Sequence, residues 1–247
     1  FVYDSKKSYG ITVSHLRFGD APIKAPYLIS RANFVACHNA AYIGRYDMLS
    51  CIKPGGTFLI NSEWSNDEVF SRLTAADQKI IRERKIKLYN IDAVKIAVAV
   101  GLGARINTVM QAAFFKLAGI LPETKSIELI KKAIEKAYGK KGEEIVKMNW
   151  AAVDAASDAL QEIPVPATCA TAAAPVKLIA DDASAFAKDI IEPGMYLKGD
   201  DIPVSKMSYD GVIPTGTTCL EKRAIAPVLP KWVAANCIQC NQCVSAC

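Results

Sequence analysis

Histidine is nearly missing from this sequence: His15 and His38 are the two in 247 residues. Neither has a partner at metal-ligating spacing, so both are left without a role. No Ser-His-Asp arrangement can be argued, and no catalytic residue is assigned within the chain. No apolar run is long enough to form a membrane-crossing helix, and no signal peptide opens the sequence. The formal net charge is +5, yet no block of five basic residues with interleaved aromatics occurs. The lysines are spread along predicted helices, which argues against nucleic acid as a partner. A Walker lysine motif is also absent. Gly101-Leu-Gly103-Ala-Arg-Ile106 comes nearest to a dinucleotide fingerprint. It lacks the third glycine, because Ile106 would crowd the strand–helix contact, and no acidic residue follows a second strand ~20 residues on.

What is present reads as a folded α/β protein. Half the residues are apolar (51%) and 22% are charged, the balance of a globular chain long enough for one sizeable domain and a small satellite. Strands are expected over 11–18, Asn33–Cys37, Thr57–Asn61 and Ile86–Ile91. Between them, helices are expected around Tyr42–Ile52, ending at Pro54-Gly55-Gly56, and over Asp67–Arg84. Strand alternating with helix over short connections is the pattern of a mostly parallel sheet flanked by helices, a three-layer α/β domain.

After Asp92 the pattern turns helical. Ala93–Val100 fits a short helix or a strand. Ile106, Val109, Met110, Ala113, Phe114 and Leu117 recur at helical spacing and stop at Gly119. A further helix runs from Pro122-Glu123 to Gly139, and another opens at Glu143-Glu144. Residues 1–160 thus form the main domain. Residues 161–180, which open with the Pro-, Ala- and Thr-rich stretch 161–175, read as a linker. Residues 181–236 read as an irregular connector with one helix over Asp182–Ile191, and 237–247 as the start of a cluster-binding domain.

Two asparagines stand out. Asn149 lies four residues after Ile145 and four before Val153, so it interrupts an apolar stripe. A buried amide must find hydrogen-bond partners, either a neighbouring backbone group or a ligand. Asn107 falls in the first turn after Gly103, where backbone amides and the helix dipole favour anions; the plainer reading is a capping or turn residue.

Of eight cysteines, four crowd the last eleven residues, and Cys37, Cys51, Cys169 and Cys219 are scattered. That is metal usage in a reducing compartment and not a disulfide framework. Cys237, Cys240, Cys243 and Cys247 have the spacing C-x2-C-x2-C-x3-C by which bacterial-type ferredoxins hold iron–sulfur clusters. In the two-cluster form the fourth cysteine ligates the other cluster. Structural zinc is the alternative, although its motifs pair two ligand couples across a longer spacer. The chain begins at Phe1 and stops inside this motif, so it is expected to be a segment of a longer polypeptide.

These cysteines, Glu221-Lys-Arg223 before them, and Asp4-Ser-Lys-Lys-Ser8 with the sequence on to Gly19 resemble pyruvate:ferredoxin (flavodoxin) oxidoreductase. So do Asn33-Phe-Val-Ala-Cys-His-Asn39, Gly55-Gly-Thr-Phe58, Tyr89-Asn-Ile-Asp-Ala-Val-Lys95, Phe114-Phe-Lys-Leu-Ala-Gly119 and Tyr138-Gly-Lys-Lys-Gly142. The resemblance implies an enzyme that decarboxylates pyruvate on thiamine pyrophosphate with Mg2+, releases acetyl-coenzyme A, and passes electrons through 4Fe–4S clusters to ferredoxin or flavodoxin. It also implies a homodimeric parent whose thiamine and pyruvate sites lie outside this chain. This piece resembles the coenzyme A-binding gamma domain, the Glu-Lys-Arg connector and the start of the ferredoxin domain. By that resemblance Lys7, Asn107 and Asn149 hold coenzyme A, and the four terminal cysteines are cluster ligands. The segment alone is then expected to be inactive. A non-catalytic iron–sulfur module with an α/β partner-docking domain is the alternative.

Overall fold

The computed structural model describes residues 2–3, 11–168, 171–220 and 229–246. A four-stranded sheet organises the first two thirds: β3 (Ala32–Cys37), β4 (Ile52–Asn61), β5 (Lys87–Ile91) and β6 (Gln161–Ile163), adjacent in that order. The first three strands are parallel and β6 runs antiparallel to β5. β1 (Val2–Tyr3) and β2 (Thr12–Val13) form a separate antiparallel pair.

Alternation along β4 and β5 sorts the core into two layers. Phe58, Ile60 and Leu88 point to one face, with Val69 of α1 (Asn66–Val69) and Ile81 of α2 (Ala75–Glu83). Leu59 and Ile91 point to the other, under α3 (Ala93–Ala99), α4 (Asn107–Ala118), α5 (Glu123–Tyr138) and α6 (Glu143–Ala159). The connections β3→β4 and β4→β5 both supply the first face, as expected when successive parallel crossovers of one hand step along a sheet in one direction. The result is helix, sheet, helix: the three-layer α/β class read from the pattern.

Local chemistry explains most helix ends. Thr74 and Asp92 cap α2 and α3, their side chains accepting from the backbone N–H of Asp77 and Lys95. Gly119, left-handed at φ 59°, closes α4. Ala93–Val100 resolves as helix α3.

Several expectations are corrected. Of 11–18, Thr12–Val13 alone is strand; beyond it the chain is held by side chains, His15 Nδ1 accepting from Ile29 N–H and Arg17 donating to Ala25 and Tyr27 carbonyls. The helix expected at Tyr42–Ile52 is a 3₁₀ turn, Ala40–Tyr42, followed by turns. There Gly44 adopts φ +73° and Asp47 caps the Ser50 N–H. Pro54-Gly55-Gly56 does not end a helix but sits inside β4, where the register jumps from Ala32↔Ile52 to Phe34↔Thr57. A Cβ on Gly56 would lie 2.6 Å from Ile52 Cγ2 and 2.9 Å from the Lys53 carbonyl, so this bulge needs glycine. The helix expected over Asp67–Arg84 is two, because Thr74 caps a new start.

The stretch read as a linker also departs from expectation. Gln161–Ile163 is an edge strand, and Ile163 is buried. Gln78 Nε2 donates to the Thr171 carbonyl, Ala173 N–H to Leu73, and Val176 N–H to Gly44, while Leu178 and Ile179 are buried. Long-range backbone pairing carries this segment, which a composition poor in charge does not reveal. Asp182–Ile191 is helical only from Ala185, passing into one wide π-type turn, Ala187–Ile191, that runs into α7 (Glu192–Met195). From Gly199 onward the described chain consists of short 3₁₀ turns and α8 (Gln242–Ala246), without buried residues.

Candidate functional site

Two of the three expected coenzyme-binding residues, Asn107 and Asn149, lie where α3 ends and α4 meets α6. The Leu102 N–H bonds the Ala97 carbonyl and the Gly101 N–H bonds Val98, a Schellman ending with Gly101 left-handed at φ +84°. Gly101-Leu-Gly103 is therefore a helix stop and the turn into α4, in keeping with its failure as a dinucleotide fingerprint. A Cβ on Gly101 would lie 2.8 Å from Met148 Sδ, so the glycine also lets α6 pack against this turn.

Asn149 is buried on α6. Its Oδ1 accepts from the Thr108 hydroxyl at 2.8 Å, and its Nδ2 donates to the Ile145 carbonyl at 2.8 Å. The backbone partner anticipated from the sequence is there, and a second partner, the buried Thr108, was missed. The signal was available: a small polar residue beside Asn107, in the first turn of a largely apolar helix. Asn107 is the first residue of α4 and exposed, with no side-chain cap at that end. Thr108 thus brings Asn107 and Asn149 to one contact between two helices. Lys7 lies outside the described residues.

A second polar cluster, unforeseen in the sequence, lies at the carboxyl ends of β4 and β5. The Ser62 hydroxyl donates to Asn90 Oδ1 at 2.7 Å, and Asn90 Nδ2 reaches the Trp64 carbonyl at 3.2 Å. Asn61 joins the strand ends, accepting from the Ala93 N–H and donating to the His38 carbonyl. A cavity of about 470 Å3 opens beside Ser62, Trp64, Asn90 and Lys95. Cys37, at the end of β3, is buried, its Sγ donating to the Asn39 carbonyl at 3.0 Å. Burial pushes that thiol up to about 12, far from a reactive thiolate.

At the other end of the chain, Cys237, Cys240 and Cys243 are free and exposed; Cys247 and Glu221-Lys-Arg223 lie outside the described residues. Gln239 (φ 58°) and Asn241 (φ 60°) are both left-handed, so the backbone reverses on either side of Cys240 before α8 begins. The Trp232 side chain and the Gln239 backbone donate to the Cys237 sulfur, which lowers its thiol pKa. Thiols of this type and spacing suit a soft, thiophilic metal group. Among the described residues, however, no three His, Cys, Asp or Glu side chains are gathered so as to hold a metal ion. Closing several thiolates on one point is unfavourable until the metal offsets their repulsion and the chain's ordering.

The family described as Pyruvate ferredoxin/flavodoxin oxidoreductase matches residues 1–159, and EKR, described as a domain of unknown function, matches 173–226. All of this chain aligns at 53% identity with 21% of a protein named pyruvate:ferredoxin oxidoreductase from Moorella thermoacetica. It aligns at 45% identity with 21% of a pyruvate-flavodoxin oxidoreductase from Klebsiella pneumoniae. It also aligns at 45% with 14% of a mitochondrial pyruvate dehydrogenase [NADP(+)] from Euglena gracilis. The chain thus spans about a fifth or less of these relatives' length. A solved pyruvate oxidoreductase subunit, PORC of Thermotoga maritima, is 18% identical over 54% of this chain and 66% of its own, at a TM-score of 0.42, too slight a likeness to carry an argument. With the match over residues 1–159 and identity running through the whole sequence, the chain belongs to the pyruvate ferredoxin/flavodoxin oxidoreductase family.

Proposed function

We propose that this chain is the coenzyme A-binding and cluster-ligating part of an enzyme that oxidatively decarboxylates pyruvate to acetyl-coenzyme A and CO2, passing electrons to ferredoxin or flavodoxin. The observation that carries the reading is identity over the full length of the chain to proteins so named. Residues 1–160 form the coenzyme domain, 181–236 the connector and 237–247 the cluster end, with 161–180 folded back onto the α/β body. Thiamine pyrophosphate and Mg2+ are assigned to other parts of the enzyme, as is the second half of its homodimer. The compartment is cytoplasmic or, as the name of the Euglena relative invites, an organelle.

Within the chain, Asn107 offers an exposed amide at the start of α4, and the Thr108–Asn149 bond holds α4 and α6 in register beneath it. Lys7 adds a compact positive charge for a phosphate. Asn149 retains one amide N–H beyond the bond to Ile145, enough for a single contact to a ligand amide or ring nitrogen. Cys237, Cys240 and Cys243 supply thiolates for one 4Fe–4S cluster and Cys247 a ligand to a second. Such clusters, when bound, carry electrons one at a time.

The test uses the complete oxidoreductase containing this chain, purified without oxygen. Iron and sulfide content and the paramagnetic resonance of the reduced protein should show one cluster lost in Cys240→Ser. Coenzyme A affinity, measured by calorimetry, should fall in Asn107→Ala while cluster content stays constant. Zinc in place of iron at these thiols, or coenzyme A affinity indifferent to Lys7, Asn107 and Asn149 alike, would overturn the assignment.

A further inference from the structure

Outside both sites, a groove of about 780 Å3 runs between the end of α2 and the β6 edge, lined by Arg82, Lys85, Lys87, Glu162, Ile163 and Val165 among others. Its charge is lopsided. The one carboxylate, Glu162, faces Tyr89 on the neighbouring strand and hydrogen-bonds to it. None of the three cations makes an ion pair among the described residues.

Two further observations concern the residues of this groove. Arg82 Nη1 is buried and, among the described residues, has no hydrogen-bond partner, although its guanidinium carbon lies 5.7 Å from the Phe70 ring centroid. An orphaned charged donor is among the costlier defects a folded protein can carry, and calls for a partner not yet in place. Lys85 is left-handed at φ 51°, at the C′ position of α2, where the Ile86 N–H closes onto the Ile81 carbonyl. Glycine is the unstrained choice there, so the chain keeps a lysine side chain at the groove against its own backbone preference.

The shape narrows the occupant. The floor is apolar, from Ile81, Ile86, Leu88 and Ile163, and Pro164-Val165-Pro166 forms a wall with few N–H donors to pair a strand. No aromatic side chain lines the groove, so it offers no stacking platform for bases. We infer that this groove docks an extended, acidic protein segment that sets carboxylates against Arg82, Lys85 and Lys87 and apolar side chains on the floor. None of these residues belongs to the coenzyme or cluster assignment, so the inference stands or falls separately from them.

The test measures fluorescence anisotropy of a labelled peptide of alternating Glu and Val, titrated with the full 247-residue chain, and of the same peptide with Gln for Glu. The acidic peptide should bind and the Gln peptide should not. Arg82→Met and the double variant Lys85→Met/Lys87→Met should each weaken binding by at least about tenfold. Lys132→Met, on the exposed side of α5, should change it by less than about twofold. Arg82→Met should also melt no lower than the parent, because it removes an orphaned donor while keeping an apolar stem over Phe70. Should it fail to fold, the lysine pair carries the test. Equal binding by these variants, equal binding of the Gln peptide, or tighter binding of a labelled single-stranded oligonucleotide with the same variant pattern would each overturn the inference.

Discussion

Replacing Asn149 tests the contact on which the coenzyme reading depends. In Asn149→Ala two hydrogen bonds of 2.8 Å disappear. The Ile145 carbonyl still has its helical partner, so that loss is the net value of one bond, about 1 kcal/mol. The Thr108 hydroxyl is different, because it is buried and would be left without an acceptor, which costs about 1–3 kcal/mol. The sum is a destabilisation of about 2–4 kcal/mol, a large fraction of the stability of a domain this size. Thr108→Val, leaving Asn149 Oδ1 unpaired, should cost about 1–3 kcal/mol for the same reason. Thr108→Val/Asn149→Ala removes both partners at once, so neither polar group is left orphaned, and should be milder than the single changes added together. The cycle should therefore show a coupling of about 1–2 kcal/mol, read from urea unfolding of the four proteins followed by circular dichroism. A cost below about 0.5 kcal/mol for Asn149→Ala, or additive single effects, would mean that the pair is not formed and that Asn149 faces elsewhere.

Three other outcomes follow from the packing. Gly101→Ala forces a side chain into φ +84° and against Met148; it should cost at least about 1–2 kcal/mol in thermal or urea unfolding and weaken coenzyme A binding. Ile163→Ala should cost about 2–4 kcal/mol, as a buried side chain of the sheet does, whereas a linker residue would cost almost nothing. For Cys37, a thiol raised from 9.0 to about 12 adds stability that is complete below pH 9 and is lost as pH climbs toward 12, because the unfolded chain ionises first. Between pH 8 and 10 the wild type should lose about 1.4 kcal/mol more than Cys37→Ala in urea unfolding, and parallel pH profiles would refute this.

Helix ends and the cysteine run were legible because they are written in neighbouring residues. Asp92 and Gly119 mark helix ends through their own side chain or lack of one, and C-x2-C-x2-C-x3-C names its donors by spacing alone. The alternation of strand and helix over short connections likewise declared the three layers. Other features depend on partners far along the chain. Pro54-Gly55-Gly56 looks like a helix stop until β3 is laid beside it, and Gln161–Ile163 looks like a linker until β5 supplies the ladder. Thr108 meets Asn149 across 41 residues, and Arg82 Nη1 is seen to lack a hydrogen-bond partner among the described residues only once the chain is folded. Propensity and spacing act over a few residues and can be read in order. Hydrogen-bond satisfaction and burial are properties of the whole packed arrangement, so the family signature lay in the sequence while the Thr108–Asn149 contact and the groove waited on the tertiary structure.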